Sequence, residues 1–283
     1  MNNSLVSKKI EAIKAEVSRY PNIAIALSGG IDSITLSRIA GLAGNNMEVI
    51  HAISPAVPPE ASERVRVLSR KFGWNLKEID AGEFRDERYL ANPINRCFYC
   101  KESLYTAISA ISKKTEAQVF SGTNADDLLE YRPGLEAASK LHVIHPFANL
   151  GIDKSLIRIM ANELGLSDLA NLPASPCLSS RIETGIPIEA STLVLVHRIE
   201  SLIQKFLDTQ TVRCRVRPSS IRIELDPVSL HILLEKENII IKSNIENEIQ
   251  KLFGESYMHK EITFSPYITG SAFVQDKNAI SRL

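Results

Sequence analysis

The chain has no surplus of positive charge: 33 Lys and Arg stand against 33 Asp and Glu in 283 residues. Proteins that live on nucleic acid or anionic membrane usually carry a basic excess, so neither a nucleic acid nor a membrane partner is expected. No run reaches the roughly 18 apolar residues needed to span a bilayer. The first residues, MNNSLVSKKIEAIKAEV, hold no apolar signal core and no small-residue cleavage site, so a cytoplasmic location is expected. Cysteine is scarce, four in all. In a reducing compartment such residues act as ligands, catalysts or small buried hydrophobes rather than disulfides. The six histidines form no ligand-spaced cluster. Internal repeats and low-complexity tracts are also missing.

What is present is an ordinary globular composition, 44% apolar, enough for a sizeable core. The length suggests one large domain and a smaller one. Strand patterns at 23–27, 48–53, 76–79, 117–120 and 142–145 alternate with helical patterns at 3–18, 31–43, 60–72, 98–113 and 128–139, with a long loop at 81–95. That alternation predicts an α/β fold, a parallel sheet with helices on both faces. Near residue 165 the texture turns rich in Pro, Ser and Gly. Beyond it, a helix at 191–208, strands at 212–216, 221–225 and 261–264, and helical stretches within 227–252 predict a small α+β domain with antiparallel strands. The expected division is 1–170 and 171–283, and the last fifteen or so residues show no clear periodicity.

Gly29 and Gly30 follow the first strand directly and precede a helix. A helix N-terminus at the carboxyl end of a parallel strand offers free N–H groups and partial positive charge, which suits phosphate. Glycine lets the backbone approach the anion, and Ser28 and Ser33 add hydroxyls. Asp32 would repel phosphate unless a cation or donor stands between them. It reads as a Mg²⁺ partner or a loop organiser. Neither G-x-x-x-x-G-K-[ST] nor G-x-G-x-x-G occurs here, which excludes the kinase-type phosphate loop and the dinucleotide fingerprint. A plain turn with a serine cap is the competing reading.

Ser28-Gly29-Gly30-Ile31-Asp32-Ser33 resembles the signature of the PP-loop ATP pyrophosphatases over roughly residues 20–165. Ser121-Gly122-Thr123-Asn124-Ala125-Asp126-Asp127 resembles their second nucleotide loop. Together with Arg96-Cys97-Phe98-Tyr99-Cys100-Lys101, Tyr131-Arg132-Pro133-Gly134 and Pro176-Cys177-Leu178-Ser179-Ser180-Arg181, the set is similar to the LarE family of ATP-dependent sulfur transferases, across nearly the whole chain. The resemblance implies ATP and Mg²⁺ as cofactors and a small pyridinium mononucleotide dicarboxylate as substrate, in nickel-pincer nucleotide synthesis. A carboxylate is activated as its AMP ester and sulfur displaces AMP. Gly122, Asn124 and Asp127 would then join the nucleotide site, with Asp126 beside Asp32 on Mg²⁺. Lys101 would neutralise the leaving pyrophosphate. Family members assemble, so a homo-oligomer is expected.

Cys97 and Cys100 form a C-x-x-C unit, and Cys177 lies far away in sequence. Buried small hydrophobes are one reading. Zinc wants four ligands, commonly as two close pairs, and no second pair exists. The resemblance implies two further readings. Members with three matching cysteines hold a [4Fe-4S] cluster on Cys97, Cys100 and Cys177, with one iron left open. In members with one matching cysteine, Cys177 gives up its own sulfur. A thiol relay is a third possibility. Cys214 lies on the apolar face of its strand with Val212 and Val216 and reads as core.

The opposite face carries Arg213, Arg215 and Arg217, and the next strand sends Arg222 and Glu224 the same way. Clustered guanidiniums repel unless anions answer them, and their forks suit phosphate. The alternatives are a solvated face or a subunit contact. By the resemblance, Arg213 and Arg215 match an arginine pair, Glu200 helps hold a metal or phosphate, and Ser180 and Arg181 grip a phosphate beside the sulfur source. Competing functions are a tRNA-thiolating enzyme, an ammonia-using synthetase that needs no cysteine, and a nucleotide-sensing regulator.

Overall fold

A computed structural model of the chain describes residues 3–129, 133–172, 176–209, 211–254 and 259–273. Tyr131 and Arg132, the 173–175 part of the Pro-rich stretch and the C-terminal 274–283 lie outside the described residues. In chain order the elements are α1 (Asn3–Val17), β1 (Asn22–Ala26), α2 (Ile31–Gly41), β2 (Asn46–Ala52), α3 (Pro59–Phe72), β3 (Asn75–Ile79), α4 (Glu87–Leu90), α5 (Arg96–Ser112), β4 (Gln118–Ser121) and α6 (Pro133–Lys140). They continue with α7 (Pro146–Asn149), α8 (Lys154–Glu163), α9 (Ser167–Ala170), α10 (Ala190–Leu207), β5 (Val212–Val216), β6 (Ser220–Leu225), α11 (Pro227–Leu234), α12 (Ile239–Phe253) and β7 (Glu261–Pro266). Two compact units result: Met1–Asp86 with Asn95–Ser175, and Glu87–Ile94 with Pro176–Leu283. The segment at 87–94, which the sequence shows only as loop, contains α4 and groups with the second unit.

The first unit is built on a four-stranded parallel sheet in the order β3-β2-β1-β4. Alternation along β1 feeds both faces. Ile23 and Ile25 pack into a core with α1, α2, α3 and α8, while Ala24 joins Tyr105 and Ile108 of α5 on the other side. A strand buried on both faces reads as a continuous apolar run, and Ile23–Leu27 does. The stretch at 142–145 forms no strand. A single bridge joins Ile144 to Phe120, with Ser121 N donating to Ile144 O at 3.0 Å and Ile144 N to Val119 O at 3.0 Å. His142 with φ at +53° and Pro146 at the start of α7 close the ladder on either side. The helix expected from residue 128 is described from Pro133, after a 3₁₀ turn at Asp126–Leu128.

Strand order fixes where a ligand can sit. From β1 the chain steps outward through β2 and β3, then returns to place β4 on the far side of β1. The crossovers diverge at the carboxyl ends of β1 and β4, and open sheets bind ligands in that crevice. The 27–30 and 122–125 loops both emerge there, and the second of them packs against the backbone of the first turn of α2. A Cβ on Gly122 would lie 2.7 Å from Ser33 N and 2.8 Å from the Asp32 carbonyl carbon.

The second unit holds a three-stranded sheet, β5-β6-β7. β5 and β6 pair antiparallel. β7 joins β6 in parallel instead of the expected antiparallel sense. The reason is the connection: α11 and α12 lie between β6 and β7 and return the chain to the end where β6 began. Because only glycine fits between the loop after β4 and the first turn of α2, Gly122→Ala should lower the unfolding free energy by about 1–3 kcal/mol. A urea-melt midpoint equal to wild type would contradict the contact.

Candidate functional site

The loop after β1 is organised by its serines. Ser28 N donates to Ser33 Oγ at 3.1 Å, Ser33 Oγ donates to Gly30 O at 3.1 Å, and the two hydroxyls are 3.1 Å apart. Gly29 has φ at +80°, and a Cβ there would sit 2.7 Å from Ala61 O at the start of α3. Only glycine serves at that position. Arg64 Nη1 donates to Gly29 O at 2.7 Å, which sets a half-buried guanidinium beside the loop.

The loop after β4 is organised by Asn124. Its Oδ1 accepts from Asp126 N at 2.9 Å and Asp127 N at 3.3 Å, while Asp127 Oδ2 accepts from Asn124 N at 3.1 Å. Asp126 Oδ2 accepts from the backbone N of Lys154, the first residue of α8, at 2.9 Å. The Lys154 ammonium then reaches Asp32, 2.6 Å from each carboxylate oxygen. Burial raises the Asp32 pKa, opposed by Lys154 and by a hydrogen bond from Asn124 and reinforced by the Asp127 charge. The cation beside Asp32 is an ammonium.

The structure therefore brings Ser28, Gly29, Gly30, Asp32, Ser33, Gly122, Asn124, Asp126 and Asp127 to one crevice. It adds Lys154, which is 122 residues from Asp32 in sequence. An Asp N-cap signal marks the start of α8, since Asp153 Oδ1 accepts from Leu156 N at 2.7 Å, but no local pattern names the partner of Lys154. A second addition is His145. Its Nδ1 lies 2.7 Å from Ser121 Oγ, and burial, then the charge of Lys101, holds its pKa below the usual histidine value. Lys101 itself lies on the first turns of α5 with Cys97 and Cys100. Gly134 makes room for that turn: a Cβ there would meet Lys101 Cγ at 2.8 Å and Cys97 O at 3.4 Å. A cavity of about 540 Å³ opens beyond the carboxyl ends of β2 and β3, walled by Ile53, Pro55, Ile79 and Phe84.

In the second unit Cys177 is exposed and precedes a buried 3₁₀ turn, Leu178–Arg181. Arg181 is 3% exposed and forks onto Glu200, Nε to Oε1 at 2.9 Å and Nη2 to Oε2 at 2.8 Å. Burial pulls its pKa down, but Glu200 outweighs that and holds it above the usual arginine value. Glu200 Oε1 also accepts from Cys214 N at 2.8 Å. Cys214 is fully buried, and burial pushes its thiol well up. On the arginine face Arg213 and Arg215 are buried, and Arg217 and Arg222 are half-buried. Arg215 Nε donates to Glu224 at 2.9 Å and Arg217 Nη1 to Glu183 at 2.8 Å, while Arg213 lies over the Tyr267 ring.

No protein-family profile matches the chain. An uncharacterized protein of Synechocystis sp. is 33% identical over 225 residues, 79% of this chain and 83% of its own. A pyridinium-3,5-bisthiocarboxylic acid mononucleotide synthase of Lactiplantibacillus plantarum is 26% identical over 252 residues, 88% of each chain. The chain belongs to the LarE family of ATP-dependent sulfur transferases, within the PP-loop superfamily. A probable tRNA sulfurtransferase of Lactobacillus delbrueckii subsp. bulgaricus is 27% identical over 163 residues, 53% of this chain and 40% of its own. The LarE-family assignment agrees with the α/β fold and its four-stranded parallel sheet. Among the described residues, no helix is long and apolar enough to cross a membrane.

Lys154→Met would leave the Asp32 carboxylate half-buried beside no ammonium. We expect a loss of about 1–2 kcal/mol in urea unfolding, and partial recovery in the double variant with Asp32→Asn. Strictly additive effects would show that the pair is not coupled.

Proposed function

We propose that this chain adenylates a carboxylate of a pyridinium dicarboxylate mononucleotide and converts it to a thiocarboxylate, for nickel-pincer nucleotide synthesis. The observation that carries the reading is the close seam at Gly122 between the loop after β4 and the first turn of α2, beside the glycine turn after β1. It forms one phosphate cradle in a chain that shares 88% of its length with a pyridinium-3,5-bisthiocarboxylic acid mononucleotide synthase. Backbone N–H groups at Gly29 and Gly30, with the Ser28 and Ser33 hydroxyls, meet the phosphates of ATP. The Ile53–Ile79–Phe84 cavity takes its nucleoside end. A substrate carboxylate oxygen attacks the α-phosphorus and pyrophosphate leaves, its charge met by Lys101, Lys154 and Arg64. Sulfur then attacks the carbonyl carbon, and AMP leaves with the carboxylate oxygen. On the arginine face, Arg213 is assigned to the substrate phosphate, while Arg215, expected from sequence to join it, is held by Glu224 and Ser180 O. The domains take separate roles, adenylation in 1–170 and substrate binding with subunit assembly in 171–283.

The metals are a matter of fit. Among the described residues no group of three or more His, Cys, Asp or Glu side chains is assembled for a metal. Asp32 and Asp126, read from sequence as Mg²⁺ ligands, are engaged with Lys154, so no step is derived through Mg²⁺. The thiols suit a cluster chemically. Cys97 and Cys100 stand one helical turn apart on α5, half-buried, and Cys177 is exposed, all outside disulfides. They would be the three thiolate ligands of a [4Fe-4S] cluster, which when bound supplies an open iron for an inorganic sulfur donor. The exposure of Cys177 also favours a second reading, in which Cys177 donates its own sulfur and becomes dehydroalanine.

Substrate-dependent AMP and pyrophosphate release, with thiocarboxylate formed and lost in Cys177→Ala, is the expected outcome. Anaerobically purified protein should bind about four irons, lost in Cys97→Ala. Iron-free protein that still forms one thiocarboxylate per chain would favour sacrifice of Cys177. Turnover indifferent to Cys97→Ala, Cys100→Ala and Cys177→Ala would point to amide formation, and salt-sensitive tRNA binding to tRNA thiolation.

A further inference from the structure

The turn that carries Cys177 is held from three sides by buried side chains. Arg181 reaches back over it: Nη1 donates to Pro176 O at 2.7 Å, to Cys177 O at 3.2 Å and to Ser180 Oγ at 3.1 Å. The rest of its fork is fixed on Glu200, and Glu200 is fixed on the backbone of β5 through Cys214 N at 2.8 Å. From β5, Arg215 Nη1 donates to Ser180 O at 2.9 Å while its Nε is held by Glu224 at 2.9 Å. From α4, the Tyr89 hydroxyl lies 2.6 Å from Ser179 Oγ. Arg181, Arg215, Glu224 and Tyr89 are each no more than 3% exposed, whereas Cys177 is exposed.

A guanidinium has five N–H donors. On Arg181 the two that face Glu200 and the pair on Nη1 all have acceptors within the unit, so a substrate phosphate would have to break a buried ion pair to take them. We propose that Arg181 and Glu200 are positioning residues for Cys177: a buried strut that fixes the backbone carbonyls on either side of that residue and so aims its thiol. Arg215 and Tyr89 brace the same turn. The inference rests on the sulfur-transfer reading for its kinetic consequence, but the strut itself exists independently of that reading. Fixing the main chain at the thiol is what makes a single side chain able to meet one carbon atom at reaction distance.

The test uses the full chain with Arg181→Lys, which keeps the charge and loses the fork, and Tyr89→Phe, which removes one hydroxyl from the brace. Amide hydrogen exchange is read first, without substrate. Protection of Ser180 N and Ile182 N, which donate to Cys177 O and Ser179 O, should fall at least tenfold in Arg181→Lys and severalfold in Tyr89→Phe, with α10 protection kept as the control for folding. Unchanged protection in both variants overturns the strut, whatever the enzyme does. Steady-state kinetics follow, with the pyridinium dicarboxylate mononucleotide, ATP and sulfide. Sulfur transfer should fall at least tenfold in kcat, while KM for the mononucleotide and the rate of pyrophosphate release stay within about twofold. A KM raised tenfold with kcat kept would make Arg181 a phosphate ligand and overturn the proposal. Wild-type protein that forms no thiocarboxylate would sink the sulfur-transfer reading alone and leave the exchange result to decide the strut.

Discussion

Everything in the first unit depends on one missing methyl group. Two loops that leave neighbouring strands of a parallel sheet normally diverge, because their helices pack on opposite faces. Here the loop after β4 closes on the first turn of α2 because Gly122 presents no side chain to the Asp32–Ser33 backbone. The contact sets the loop after β4 directly against the start of α2, where Asp32 stands. It also places the Asn124-organised loop where Lys154 can reach Asp32. Buried charge at the crevice is thereby answered from within the unit: burial raises the Asp32 pKa and Lys154 opposes it.

The second unit solves a related problem with charge instead of space. Three arginines on one strand face would be ruinous if solvent were simply removed. Each of Arg215 and Arg217 has a carboxylate from another element, and Arg181 shares Glu200 with the backbone of β5. The product is a stiff polar layer under an exposed cysteine. Stability and aim come from the same bonds, which is why a change at Arg181 should be read in exchange rates as well as in kinetics.

Much of this was legible in the sequence. The Ile23–Leu27 run followed by Ser28-Gly29-Gly30 shows both a buried parallel strand and the tight glycine turn after it, since local pattern controls each. The alternation around Cys214 separates core from arginine face. Other features depend on distance in three dimensions. Lys154 carries no local mark that pairs it with Asp32, and the commitment of Arg181 to Glu200 appears only when η-nitrogens and carboxylate oxygens are placed. The 142–145 stretch misled because its β-branched pair Val143-Ile144 fits a short strand, while His142 and Pro146 restrict the pairing to one bridge. The parallel pairing of β7 follows from the helices that precede it, a matter of connection and not of strand composition.

Adenylation of a carboxylate is the step on which the proposed function depends. The most direct measurement supplies the mononucleotide with ¹⁸O in its carboxyl groups, together with ATP and sulfide, and examines the AMP by mass spectrometry. Attack by the carboxylate on the α-phosphorus predicts one ¹⁸O in AMP for each thiocarboxylate formed. AMP without label, or label appearing in free phosphate with ADP as the product, would contradict the assignment of this crevice to an AMP-ester reaction.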